Sequence, residues 1–279
     1  MQLECIRRIM AMLNLGNAYR KLYDQPLTNN HNSNIYGTDS IDDILILIGY
    51  LNEKKLTFAN SDMEFNCLVD DKSAYITNSS GYLECTSSEA SINLLKTPEL
   101  TMECSFALQY YLYSLAEETL GPSIFDDIRI IMSGHALTNP SLRRIYNILP
   151  QSVTSIQRGT IVYIRGCAYF YHMLLNNIDY PKGFRMSFQG ENAIYLGDNL
   201  YLTYFRCENN TAKYSISTYS EICETLRARG QCEFHEKLSL AASKRIKKEF
   251  KKIKLNGKSL IYDLFDVIGT ESAHSISFK

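Results

Sequence analysis

One stretch constrains this chain more than any other. Thr101–Leu120, TMECSFALQYYLYSLAEETL, runs through Phe106, Ala107, Leu108, Tyr110, Tyr111, Leu112, Tyr113 and Leu115 with almost no polar face before Glu117. A helix apolar nearly all round is stable only when buried on most sides, so the rest of the chain must wrap it. Thr101 reads as its N-cap and Gly121-Pro122 as its stop. Cys104 then falls in the first turn of a central helix. There the unpaired backbone N–H groups and the positive dipole end favour thiolate over thiol. The same groups can stabilise the oxyanion that forms when sulfur attacks a carbonyl. A cysteine at such a position is more often a small core residue. Glu103 adjoins Cys104, and a second segment points the same way.

The remaining pattern predicts an α+β fold. Ser40 caps a helix over Ile41–Asn52, with Asp42 and Asp43 in its first turn. Ala74–Thr77 and Tyr82–Thr86 are β-type runs joined by Asn78-Ser79-Ser80-Gly81, which is hairpin chemistry. Downstream, Ile128–Met132, Thr160–Ile164, Cys167–Tyr171, Ala193–Leu196 and Leu200–Phe205 are short β-branched or aromatic runs, the last two joined by a tight turn at Gly197-Asp198-Asn199. Strands clustered after helices argue against an alternating parallel sheet. Tyr219–Arg229 reads as a helix ended by Gly230, and Glu233–Lys254 as another.

Composition excludes several classes. With 45% hydrophobic residues in 279 and a formal charge of −1, the chain is neither disordered nor a globally basic nucleic-acid binder. Its eight cysteines form no C-x-x-C pair and have no histidine at metal-ligand spacing, so no zinc or other metal site is expected. No D-x-[DN]-x-[DN]-G calcium loop occurs, and no cofactor is implied. The start, MQLECIRRIMAMLNLGNAYRKL, carries Glu4, Arg7 and Arg8 and reads as an amphipathic helix, not an export signal. The longest apolar stretch, Ile44–Leu51, is far shorter than the roughly 20 residues of a membrane span. A soluble protein with reduced thiols is the expectation. The run Lys244, Arg245, Lys247, Lys248, Lys251, Lys252 and Lys254 reads first as a solvated face. Its sharper reading is an anionic partner, nucleic acid or an acidic membrane surface.

The second segment is Gln189-Gly190-Glu191-Asn192, where a glutamate at a strand entry, just after glycine, is free to face a cleft. LTMECSFALQYYLYSLA, IVYIRGCAYFY and FQGENAIYLGDNLYL together resemble the bacterial spore-coat transglutaminases, in that family's order and spacing. The likeness extends to ITNSSGYLECTSS and TYSEICETLRARGQ and covers about residues 40–245. It implies a papain-like thiol hydrolase fold, with a central helix carrying the nucleophile packed on an antiparallel sheet. It implies a catalytic domain over 40–243, an N-terminal helix and polar linker over 1–39, and a basic extension over 244–279.

Position by position, the resemblance makes Cys104 the nucleophile, Glu191 its partner carboxylate and Glu103 a neighbour able partly to substitute. The family's histidine position falls on Tyr204, a hydrogen-bond donor but a poor base near neutral pH. The implied reaction is ping-pong acyl transfer. Cys104 attacks a protein glutamine amide, ammonia leaves, and a lysine amine resolves the thioester into an isopeptide cross-link. Glu191 would accept the thiol proton, pass it to ammonia and later deprotonate the lysine. Partners would be proteins bearing glutamine and lysine, in spore coat, cytoplasm or another cell. Two rivals remain: a deamidase or other thiol amidase in which water resolves the thioester, and a catalytically silent binding protein using the basic tail. His135 and His172 read mainly as ordinary loop histidines, Asp198 and Asn199 as turn formers, and Cys167 as buried and inert.

Overall fold

The computed structural model describes residues 41–58, 67–68, 75–78, 82–134, 139–166, 190–206, 211–240, 254–255, 258–259 and 269–279. In chain order the first elements are α1 (Ile41–Asn52), β1 (Lys55–Phe58), β2 (Cys67–Leu68), β3 (Tyr75–Asn78), β4 (Tyr82–Cys85), α2 (Ser88–Lys96) and β5 (Glu99–Met102). Then come α3 (Cys104–Leu120), β6 (Ile131–Ser133), α4 (Pro140–Ile145), β7 (Tyr146–Gln151), β8 (Ile161–Arg165), β9 (Gly190–Gly197), β10 (Leu200–Arg206) and β11 (Ala212–Thr218). The last are α5 (Tyr219–Leu240), the two-residue strands β12 (Lys254–Leu255) and β13 (Lys258–Ser259), and β14 (Gly269–Phe278). Mixed helix and strand with a large antiparallel sheet agree with the α+β expectation.

The principal sheet is six-stranded and antiparallel, in the order β11-β10-β9-β8-β14-β7. Strand alternation sends successive side chains to opposite faces. Ile161, Ile194, Leu202 and Tyr204 thus join the α3 core, while Val162, Ile164, Ala193 and Tyr201 pack against Ile222 and Leu226 of α5. Both faces are covered, which suits strands with few exposed positions.

The central helix is buried as its sequence requires: from Cys104 to Ser114 every residue is buried. Several of its buried polar atoms fasten the surroundings to it. The Tyr110 hydroxyl donates to Leu95 O at 2.8 Å, and the Tyr113 hydroxyl to Ile131 O at 2.9 Å. From outside the helix, Tyr146 donates to Leu112 O and Tyr214 to Ala107 O, both at 2.7 Å. Fully buried Gln109 donates to Ser133 O and accepts from Ser133 N and from Asn139 Nδ2, tying β6 and the start of α4 to α3.

Three expectations need correction. Thr101 is not the helix cap. It lies in β5, with its hydroxyl 2.7 Å from that of Thr57 in the parallel neighbour β1, and the strand delays the cap to Glu103. Gly230 does not end a helix: α5 runs through it to Leu240, and Gly230 is buried. A mid-helix glycine costs about 1 kcal/mol against alanine, which α5 offsets by packing Ile222 and Leu226 on the sheet. Gly269–Phe278, expected within a C-terminal extension, forms β14 between β8 and β7. β3 and β4 pair antiparallel as expected of the hairpin, with Asn78 in the ladder opposite Tyr82 and not in the connection, and the turn at 197–199 forms as read, with Asp198 and Asn199 both at positive φ. That conformation is one that Asp and Asn tolerate and most residues do not. Ser40, the strand read at Cys167–Tyr171 and the basic run from Lys244 to Lys252 lie outside the described residues.

Candidate active site

Cys104 is the first residue of α3, and β5 runs directly into it through Glu103. Because β5 is clamped between β1 and β2, the chain enters the helix at a fixed point. Cys104 is 9% exposed. It donates toward Glu103 Oε2 at 3.6 Å, lies 4.0 Å from Gly190 O, and accepts from Asn192 Nδ2 at 3.5 Å. The helix start and the entry of β9 therefore meet at one sulfur.

Glu103 carries little compensation for its burial. Its Oε1 has no hydrogen-bond partner. Desolvation pushes its carboxyl up from an ordinary 4.5 to about 7. The amides of Ser105 and Phe106 and the Cys104 thiol offset part of that rise, without closing a regular cap hydrogen bond. Glu191 is 3% exposed, and burial likewise raises its carboxyl well above the carboxylate range, with the charge of Glu103 adding to the rise. The Tyr204 amide and the charge of Arg229 on α5 act the other way. Burial pushes the Cys104 thiol well up too, and both carboxylates push further. The backbone and side-chain N–H groups of Asn192 oppose them. Burial and mutual repulsion thus favour the uncharged form of all three groups, since three like charges cannot be held together in a dry site.

The placement of Glu191 depends on a break in the sheet. Alternation along β9 puts Asn192 with Ile194 on the α3 face and Glu191 with Ala193 on the α5 face. However, the β9–β10 ladder ends at Ile194–Leu202, while both strands continue past it. Beyond that pair, Glu191 Oε1 accepts the Tyr204 N–H at 3.1 Å. The carboxylate thus bonds to β10 beyond the last paired residues, and it interacts by charge with both the thiol and Arg229.

Of the four expected site residues, Cys104, Glu103 and Glu191 come together. Tyr204 contributes differently. Its amide holds Glu191, its hydroxyl donates to Thr57 O at 3.2 Å, and its ring packs against Phe58 and Tyr214. The hydroxyl thus ties β10 to β1. Asn192 was not among the expected residues, though it touches the sulfur. Its adjacency to Glu191 in the sequence hides this, because neighbours on a strand face opposite ways. Beside the thiol a cavity of about 10 Å³, room for about one water, is lined by Cys104, Leu108, Asn192 and the rings of Tyr111, Tyr204 and Tyr214.

Among the described residues no cluster of three His, Cys, Asp or Glu is arranged to hold a metal ion, and no helix is long and apolar enough to cross a membrane. His135, His172 and Cys167 lie outside the described residues. No protein-family model matches the chain, and no curated protein matches it. The transglutaminase resemblance accordingly rests on the quoted motifs and on what the site can do chemically.

Proposed function

We propose that this chain is a cysteine-dependent acyltransferase acting on protein glutamine, a γ-glutamyltransferase of the spore-coat type with a papain-like arrangement of helix and sheet. The observation that carries this reading is the Cys104 thiol in the first turn of a buried helix, 3.6 Å from the Glu103 carboxylate and coupled by charge to Glu191. A buried thiol beside two buried carboxyls, both pushed up by desolvation, has little use in a core, where an apolar side chain would be cheaper.

The roles follow from the contacts. As the sulfur attacks the glutamine carboxamide carbon, the thiol proton passes to Glu103, the carboxylate in hydrogen-bond contact with it. A value of about 7 suits a group that must both take and return a proton at neutral pH. The oxyanion collapses, the C–N bond breaks, and Glu103 gives the proton to the departing ammonia, leaving a γ-glutamyl thioester. A lysine amine then adds to the thioester carbon, its proton goes to a carboxylate, and the thiol leaves with an isopeptide formed. Glu191, fixed by the Tyr204 amide, keeps a second titratable carboxyl within electrostatic reach of both half-reactions.

A second reading, deamidation with water as the acceptor, is favoured by the water-sized cavity beside the sulfur. One assay separates the two. A blocked glutamine peptide is incubated with the protein and hydroxylamine, with Cys104→Ala as control. γ-Glutamyl hydroxamate formed only by the wild type supports transfer to amines. Ammonia release without hydroxamate supports hydrolysis. Neither product at any pH from 6 to 9 would refute thioester chemistry on glutamine.

A further inference from the structure

The hydrogen bond from Asn192 to the Cys104 sulfur has no structural necessity. Asn192 is half-buried at the start of a strand, where water or a main-chain carbonyl could satisfy its carboxamide. Instead Nδ2 lies 3.5 Å from Sγ, while Sγ donates its own proton to Glu103 at 3.6 Å. The sulfur thus contacts both an acceptor for its proton and a donor for the charge left behind. Neighbouring geometry holds this arrangement in place. Asn192 is registered opposite Tyr163 on β8, and Gly190 packs so tightly on the Tyr163 ring that a Cβ there would come within 2.6 Å of it.

A donor is needed at this point. Burial and two carboxylates all disfavour the thiolate, and the Asn192 N–H groups are what oppose them. Hydrogen bonds to an ionised atom are roughly twice as strong as neutral ones, so this contact strengthens as the proton leaves. The oxyanion then forms on the carbon bonded to that same sulfur, within reach of a side-chain amide already in contact with it.

We propose that Asn192 is a catalytic residue: its carboxamide N–H stabilises the Cys104 thiolate as the proton passes to Glu103, then turns to the oxyanion of the tetrahedral intermediate. The oxyanion half rests on the acyl-transfer reading above; the thiolate half does not.

The test is the pH dependence of Cys104 alkylation by iodoacetamide, followed peptide by peptide with mass spectrometry in wild type, Asn192→Ala and Asn192→Asp. Asn192→Val, which removes the donor but suits a strand, replaces the alanine variant if that one melts early. The role predicts that the alkylation midpoint rises and the rate at pH 7 falls about 10- to 100-fold in every variant, the usual worth of a hydrogen bond to a charged group. Aspartate, which keeps the shape, should fail as fully as alanine. Folded variants with the wild-type midpoint and rate would overturn the proposal. A shifted midpoint in variants whose kcat for hydroxamate formation stays at the wild-type value would overturn the oxyanion half alone.

Discussion

Replacing Glu103 by glutamine should stabilise the protein and silence it at once. The carboxyl rises from 4.5 to about 7 on folding because burial penalises its charged form. Between those pH values the folded state binds a proton that the unfolded state has lost, so wild-type stability falls as pH increases through this window. At about 1.4 kcal/mol per pH unit, the loss approaches 3 kcal/mol above pH 7. Glutamine mimics the neutral carboxyl and cannot ionise, so Glu103→Gln avoids that loss. The variant should match the wild type near pH 4.5 and exceed it by about 3 kcal/mol at pH 8. With roughly 2 cal/mol/K of unfolding entropy per residue, that is about 5 °C in melting temperature. Urea unfolding at pH 4.5, 6 and 8 would measure the divergence. The same substitution removes the acceptor for the thiol proton and should lower hydroxamate formation by about a hundredfold or more. A stability difference that does not change with pH would refute the argument, since it would mean that Glu103 titrates alike in both states.

Other substitutions probe the supports of the site. Gly190→Ala would place a methyl 2.5 Å from Ile164 O and 2.6 Å from the Tyr163 ring; a loss of about 1–3 kcal/mol in urea unfolding is expected, and a neutral result would contradict the close packing of β8 on β9. Tyr204→Phe removes the hydroxyl bond to Thr57 O at a cost of about 1 kcal/mol. Hydroxamate formation should stay within about twofold of wild type, and a drop beyond tenfold would show that the hydroxyl serves the chemistry. Deleting residues 269–279 withdraws β14 from between β8 and β7 and should abolish cooperative thermal unfolding; a sharp wild-type transition in circular dichroism would contradict that placement.

The central helix was legible because burial leaves no other use for CSFALQYYLYSLAEETL, and its end because Gly121-Pro122 cannot continue it. The 197–199 turn was legible through residues that accept positive φ. Harder to read were elements whose stability is tertiary. β14, GTESAHSISF, has a polar, weakly β-forming sequence and becomes a strand because ladders on both sides accept it. The passage of α5 through Gly230 is likewise a packing result that local propensity opposes. At the site, the adjacency of Glu103 and Cys104 is local and was readable. The turn of Glu191 into the sheet follows from where the β9–β10 ladder ends, and the contact of Asn192 with the sulfur joins residues 88 positions apart. Neither has a local signature.

The most direct test of the account is intact-mass and peptide mass spectrometry of a glutamine-containing protein incubated with this chain and a primary amine, beside the Cys104→Ala control. The account predicts an amine adduct on glutamine with loss of ammonia, absent from the control. An unmodified substrate in both samples, with no acyl adduct on Cys104, would contradict it.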